Sequence, residues 1–470
     1  MGIFTAMIEE GLFQFNKGLD SVNRELIQEE VNHGYHEKFI KTKELLGNGK
    51  AHQSFSPDGE QYLPTKTANI LVTGISGSGK SSVFSSGSLM NLNNNYVVLD
   101  QSGELRERFS AYFLENGFVV KIINYSDTTV SSGYNPLARI NSVTDIHKIA
   151  HQIVHQALGG ESEKFWSTQA ENLIVLFARA LMSQPQEYFN LVNVQRLVEL
   201  LTASPQLVDK IIIETHNEEI INRYKSFLAY DSKLRTNIIA STLSCLQIFT
   251  DPNIQKICSN DTLELERIRD SKYILFVQTG VLNATYYSAI TSILIRQLMS
   301  IIMSKMYEPH ERRTLFLLDE FPTLYIPDID IIISNIRKHN NSSLAIMIQS
   351  YSQLESRYNK SIARTIITNC MARLYFGAGL DYETASQLSQ ELGQYSYQDG
   401  NRQALRHLKT ASEIRQLSAD TCLLLYSNYN PILVPLRPYY KQPLMMHSLN
   451  KPNRKQPQEL SDEPVKLIGS

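Results

Sequence analysis

"NILVTGISGSGKS", residues 69 to 81, begins as a buried-strand pattern and changes character at Gly74, where glycine and serine take over. Its second half, Gly74 to Ser81, fits G-x-x-x-x-G-K-[ST], with an apolar strand before it and a helix-compatible stretch after it. Gly74 and Gly79 permit the tight backbone that turns N–H groups toward phosphate oxygens. The start of the following helix adds a favourable dipole for an anion. Lys80 is expected to reach the β- and γ-phosphates of ATP, and Ser81 to ligate Mg²⁺ through its hydroxyl. Ser76, Gly77, Ser78, Gly79 and Ser82 complete the expected nucleotide-binding set.

Such a loop needs an acidic partner, and "RTLFLLDEF", residues 313 to 321, supplies one. Leu315 to Leu318 run straight into Asp319 and Glu320. Two adjacent carboxylates repel unless a cation offsets them. Asp319, at the end of its strand, is expected to hold the Mg²⁺ shell, and Glu320 to orient or deprotonate the attacking water. The gap between Lys80 and Asp319 is long. A small GTPase places these parts much closer. No LSGGQ-like helix start precedes the acidic strand, as an ABC-type ATPase would require, and there is no kinase signature set.

Working outward, strand patterns recur at "YVVLD" (96–100), "FVVKIIN" (118–124), "KYILFVQTG" (272–280), "SLAIMIQS" (343–350), "ARLYFG" (372–377) and "TCLLLYS" (421–427). Strands alternating with helices predict an α/β fold with a mostly parallel central sheet covered on both faces. Between 141 and 260 only helical spacing is found, which predicts an inserted all-α domain. The expected organisation is an N-terminal helical segment (1–61), a nucleotide-binding domain (62–140 and 261–445), the all-α domain (141–260) and a disordered tail (446–470). Trp166, the only tryptophan, is expected in a helical core.

Composition narrows the functional classes. The chain has 470 residues, 45 basic and 47 acidic, with a net charge of −2. A nucleic-acid surface, if present, is therefore local, such as a lined channel. Four scattered cysteines argue against a disulfide framework or a zinc site. The longest apolar stretch, 289 to 303, is interrupted by Arg296 and Gln297 and reads as a core helix. No signal peptide or transmembrane helix is expected. Residues 3 to 15 have amphipathic helical spacing, but their polar positions carry Glu9 and Glu10 where anionic lipid favours Lys or Arg. Ala6 breaks the myristoylation pattern.

In this order the motifs resemble the type IV secretion coupling proteins, the TraG/TraD-type ATPases of conjugative DNA transfer. The resemblance covers about Tyr62 to Tyr440. It rests on the phosphate loop, "YVVLDQSGEL" (96–105), "GYNPL" (133–137), "KFWSTQAENLI" (164–174), "LLDEFPTL" (317–324), "SNIRKHNNSSLAIMIQSYSQL" (334–354) and "ASEIRQL" (411–417). It implies a RecA-like P-loop motor with an all-α domain, here without the family's usual N-terminal transmembrane helices. The implied partners are ATP and Mg²⁺, single- or double-stranded DNA, a relaxase or relaxosome protein, and secretion-channel components or a separate membrane anchor. The implied assembly is a hexameric ring, in the bacterial cytoplasm at the inner face of the membrane.

The resemblance also places Gln349 at a polar sensor position beside the γ-phosphate or the lytic water. It makes Arg337 an arginine finger directed at a neighbouring subunit's nucleotide. Asp100 and Glu104 match acidic residues near the nucleotide, with a role in the Mg²⁺ shell or a purely structural one. Two other readings stay open: a nucleotide-gated cargo adaptor without motor activity, and a related hexameric DNA-processing ATPase.

Overall fold

The structure, a computed structural model, describes Phe39, residues 41–42 and 45–46, and residues 54–469 apart from 65, 160–163, 309–310, 340–341, 378, 400–401, 451–458 and 462. The expected amphipathic helix at 3–15 lies outside the described residues. In chain order the strands are β1 (Asn69–Thr73), β2 (Asn95–Leu99), β3 (Val119–Asn124), β4 (Tyr273–Gln278), β5 (Thr314–Leu318), β6 (Ser343–Ile348), β7 (Cys370–Phe376), β8 (Gln394–Asp399), β9 (Arg402–His407), β10 (Thr421–Tyr426) and β11 (Ile432–Pro435). The helices that matter below are α1 (Ser86–Leu89), α2 (Glu104–Glu115), α3 (Val143–Leu158), α4 (Lys164–Leu181), α5 (Leu191–Ala203), α6 (Pro205–Glu214), α7 (Glu218–Leu228), α8 (Ser232–Cys245), α9 (Pro252–Cys258), α10 (Ser288–Met303), α11 (Ile329–Asn335) and α12 (Tyr351–Thr368).

The chain divides into two units. The first holds the described residues up to Asn91 with Met347–Glu355 and Cys370–Met445; the second holds Leu92–Ile346, Ser356–Asn369 and the described residues from Met446. Strand order in the first is β11-β10-β7-β1, with β1 and β7 parallel and β10 antiparallel to both its neighbours. In the second it is β6-β5-β2-β4-β3, all parallel. β1, β2, β4, β5 and β6 are buried at every position. Continuous apolar runs rather than alternation are what parallel strands covered on both faces require. Every strand expected from the sequence is present. Several stop a residue or two early, because Gly74, Asp100 and Asp319 leave the ladder to form loops. The β8–β9 hairpin is mainly polar, and β11, Ile-Leu-Val-Pro, is apolar but only four residues long, so neither gave a strand pattern.

From α3 to α9 no strand occurs among the described residues. α4 buries Leu173, Ile174, Leu176, Phe177 and Leu181. Local chemistry fixes where these helices begin. Asn190, Asn217 and Asp231 each accept a backbone N–H in the first turn of α5, α7 and α8, at 2.9, 3.2 and 3.0 Å. Such caps contribute about 1 kcal/mol each. Trp166, expected in the core, is instead half-buried in the first turn of α4 against exposed Phe165. All four cysteines are buried, with no disulfide among them. No described helix is long and apolar enough to cross a membrane.

The tail departs from its expected disorder. Leu460 and Ile468 are buried, Lys121 binds Glu459 at 2.8 Å, and the Ile468 N–H donates to Asn193 Oδ1 at 2.7 Å. Leu449 is buried as well, and three apolar residues spread over a polar stretch are too few to register as a pattern.

One buried ion pair braces the approach to β5. Arg269 and Glu311, both 6% exposed, pair at 2.6 Å, and Arg269 also donates to the carbonyls of Ile302 and Met306. Removing one partner strands a buried charge. Glu311→Ala is therefore expected to cost about 3–5 kcal/mol in denaturant unfolding, and Arg269→Met with Glu311→Leu to recover most of it.

Candidate nucleotide site

In the first unit, β1 delivers the chain into the Gly74–Gly79 loop. The Gly74 N–H donates to Ile348 O at 3.1 Å, which sets the loop's first residue beside the end of β6. Gly77 (φ 77°) and Gly79 (φ 105°) both lie in the left-handed region, where a side chain is strained. At Gly74 the constraint is space. A Cβ there would come within 2.6 Å of Ser78 Oγ and 2.9 Å of Phe376 Cβ. Ser76 and Gly77 form an exposed tip, whereas Ser78, Gly79, Ser81 and Ser82 are half-buried.

Past Gly79 the chain enters a wide π-helical turn, Lys80–Ser85, that continues as α1. Ser81 O there accepts both the N–H and the hydroxyl of Ser86. Lys80 is buried beneath the loop, and its ammonium donates to the carbonyls of Gly74 and Ile75, the latter at 3.1 Å. Ser78 Oγ, also buried, has no partner among the described residues. Unsatisfied buried donors cost about 1–3 kcal/mol, so a buried cation and an orphaned hydroxyl on one glycine-rich loop fit an anion such as a phosphate group. Gln349, half-buried, follows directly on Ile348, and its N–H donates to Gln353 Oε1 at 3.2 Å.

In the second unit, Leu99 pairs with both Val277 and Leu318. Asp100, Gln278 and Asp319 therefore sit at the carboxyl ends of adjacent parallel strands, where α/β sheets bind ligands. Asp100 is buried, and its carboxylate accepts the N–H groups of Gly103 (3.2 Å) and Arg106 (2.7 Å) at the start of α2. Burial pushes its pKa up, and these N–H groups oppose the shift. Its oxygens are thus occupied in opening a helix. Glu104 is exposed, 3.9 Å from Arg108. Of the two roles left open for this pair, the contacts present are structural.

Asp319 and Glu320 are both half-buried, and Asp319 Oδ1 accepts the Glu320 N–H at 3.0 Å. Glu320 itself is left-handed (φ 47°), an uncommon conformation for a residue with a side chain. The turn Phe321–Thr323 holds it there. The Thr323 N–H donates to Glu320 O at 2.9 Å, and buried Phe321 stacks on Tyr358 at 5.4 Å. Among the described residues no three His, Cys, Asp or Glu side chains gather as a metal cluster. Mg²⁺ requires none, since it keeps waters and takes phosphate oxygens beside one or two protein ligands.

The structure therefore groups the loop with Gln349 in one unit and Asp319 with Glu320 and Asp100 in the other. Arg337 is exposed in the short turn Ile336–Lys338, beyond α11. Two neighbours of the loop were not signalled by the sequence. Phe376 packs against Gly74 and Gly79, and Gly379 lies so close to Ile75 that a Cβ would approach its Cδ1 to 2.7 Å. Phe376 ends β7 and Gly379 lies just beyond it, far away in sequence, and only the fold brings them here.

The sequence model of the type IV secretory system conjugative DNA transfer family matches residues 20–463. Among solved structures the chain is similar to the bacterial conjugative coupling protein TrwBdeltaN70, at 18% identity and a TM-score of 0.70, covering 85% of this chain and 93% of that one. It is similar to plasmid coupling protein TrwB in complex with ADP and Mg²⁺ (18%, TM-score 0.69, covering 86% and 96%). It is more distantly similar to VirB4 of Thermoanaerobacter pseudethanolicus (14%, TM-score 0.52, covering 85% and 100%). These likenesses show the RecA-like fold with its all-α domain. No curated protein matches the sequence.

Proposed function

Because the chain belongs to the type IV secretory system conjugative DNA transfer family, we propose that it is an ATP-hydrolysing coupling protein that brings relaxase-bound DNA to a secretion channel and drives its transfer. The observation that carries this reading is the buried Lys80 ammonium, held under a glycine-rich loop beside an orphaned Ser78 hydroxyl. TrwB, of similar fold, has been seen with ADP and Mg²⁺ and with a non-hydrolysable ATP analogue. Lys80 and the Gly74–Ser82 backbone are the groups that would hold the phosphates, and Ser81 and Asp319 those that would ligate Mg²⁺. Bound Mg²⁺·ATP supplies an electrophilic phosphorus and a cation that offsets developing charge. Glu320 orients the attacking water and takes its proton at the carboxylate. Gln349 donates its amide toward the same water, and exposed Arg337 is free to act on a neighbouring copy's site in a hexameric ring. The relaxase and the channel components, or a membrane anchor, are the proposed protein partners, met at the cytoplasmic face of the membrane.

The test is ATP hydrolysis with and without single- and double-stranded DNA, read together with mass in solution. DNA is expected to raise the rate about tenfold or more as the protein assembles into rings. An assembled protein that hydrolyses nothing under any DNA condition overturns the motor reading. Binding of DNA without ordered movement in a strand-displacement assay favours the adaptor.

A further inference from the structure

The segment after the acidic pair, Phe321 to Ile326, is held on several sides. Leu324 O accepts from Tyr358 Oη (3.0 Å) and from Arg357 Nε (3.1 Å). The Tyr325 N–H donates to Ser292 Oγ (3.0 Å), and the Ile326 N–H to Tyr358 Oη (3.2 Å). The remaining contacts come from α3, in the helical region. Gln152 Nε2 donates to Tyr325 O at 2.9 Å. The His155 ring lies flat on the Tyr325 ring, with centroids 3.7 Å apart and planes 3° from parallel. Gln156 Oε1 accepts from the Arg357 guanidinium, and Gln156 Nε2 donates to Ser288 Oγ at 2.5 Å. Residues 152, 155 and 156 share one helix face by their i, i+3, i+4 spacing.

Arg357 is unusual in this group. Its guanidinium lies 5.6 Å from the Tyr325 ring centroid, and its hydrogen-bond acceptors are a backbone carbonyl and an amide, with no carboxylate among the described residues. Burial lowers its pKa. A cation desolvated without a counter-ion is costly. What it gains here is a planar fork that joins Leu324, on the segment, to Gln156, on α3.

We propose that α3 and Arg357 form a grip through which the helical region sets the backbone of Glu320, so that Arg357 and Gln156 are positioning residues for hydrolysis. The catalytic half of this inference rests on Glu320 being the residue that acts on water. The left-handed φ of Glu320 persists only while its surroundings hold it. The held segment begins at the next residue. A cargo protein bound to the helical region and shifting α3 would move Glu320 without touching nucleotide, through the contacts of Gln152, His155 and Gln156.

Two variants of the full chain test this: Gln152→Ala with Gln156→Ala on α3, and Arg357→Met. Alanine keeps the helix, and circular dichroism checks the fold. Hydrogen exchange across 319–326 is expected to quicken about tenfold in both variants, with β2 (95–99) unchanged. The kcat for ATP is expected to fall about tenfold with KM within about twofold. Arg357→Lys is expected not to restore it, since an ammonium lacks the fork. Unchanged exchange at 319–326 overturns the grip. Faster exchange with unchanged kcat overturns the positioning role. If the parent protein hydrolyses no ATP, the functional reading fails and the positioning role with it, while exchange still decides whether α3 holds the segment.

Discussion

Glu320→Gln is expected to abolish steady-state ATP hydrolysis, a loss on the order of 10²–10⁴-fold, while ATP binding stays within about twofold of the parent. The two side chains have the same shape, so the strand end, the left-handed turn and the Phe321–Tyr358 stack are not disturbed. The hydrogen bond at this position that Asp319 accepts comes from the backbone N–H, which the substitution keeps. What is removed is the carboxylate's negative charge, and with it the ability to take a proton. Single-turnover hydrolysis beside equilibrium binding of a fluorescent ATP analogue separates the two effects. A rate within about tenfold of the parent would move the base role to another residue.

Much of this site was legible in the sequence, for identifiable reasons. The phosphate loop is continuous in the chain, and its demands on Gly79 and Lys80 are local, so a pattern of eight residues carries them. The acidic pair was legible because β5 is buried on both faces and its apolar run ends abruptly at Asp319. Asp100 shows where such reading stops. An acid at a strand end has the same sequence signature whether it faces a metal or opens a helix, and the bonds of Asp100 to the N–H groups of Gly103 and Arg106 had no signal there. Phe376 was illegible because its contact with the loop is made across strands distant in sequence. The tail was illegible because its buried apolar residues, Leu449, Leu460 and Ile468, are too widely spaced to form a pattern. The grip on Tyr325 was the least accessible. Gln152, His155 and Gln156 read as ordinary polar positions of an amphipathic helix, and nothing in α12 distinguishes Arg357 from a solvated arginine.

Lys80→Ala is expected to remove hydrolysis and tight nucleotide binding together, with the apparent Kd for ATP rising about 100-fold or more, near 3 kcal/mol. This separates it from Glu320→Gln, which spares binding. On the fold, the variant leaves the Gly74 and Ile75 carbonyls without the donor they now share. Each lost buried hydrogen bond costs about 1–3 kcal/mol, and solvent reaches the loop's exposed tip, so a net loss of only about 1 kcal/mol is expected in thermal unfolding. Lys80→Arg is expected to fail as well. A planar guanidinium does not reproduce the compact point charge with which the ammonium approaches two carbonyls. The decisive comparison is binding of ATP by both variants at matched unfolding temperature. If Lys80→Ala binds ATP within about threefold of the parent, the cation under the loop is a structural peg for the Gly74–Ile75 turn, and the phosphate-binding role assigned to it falls.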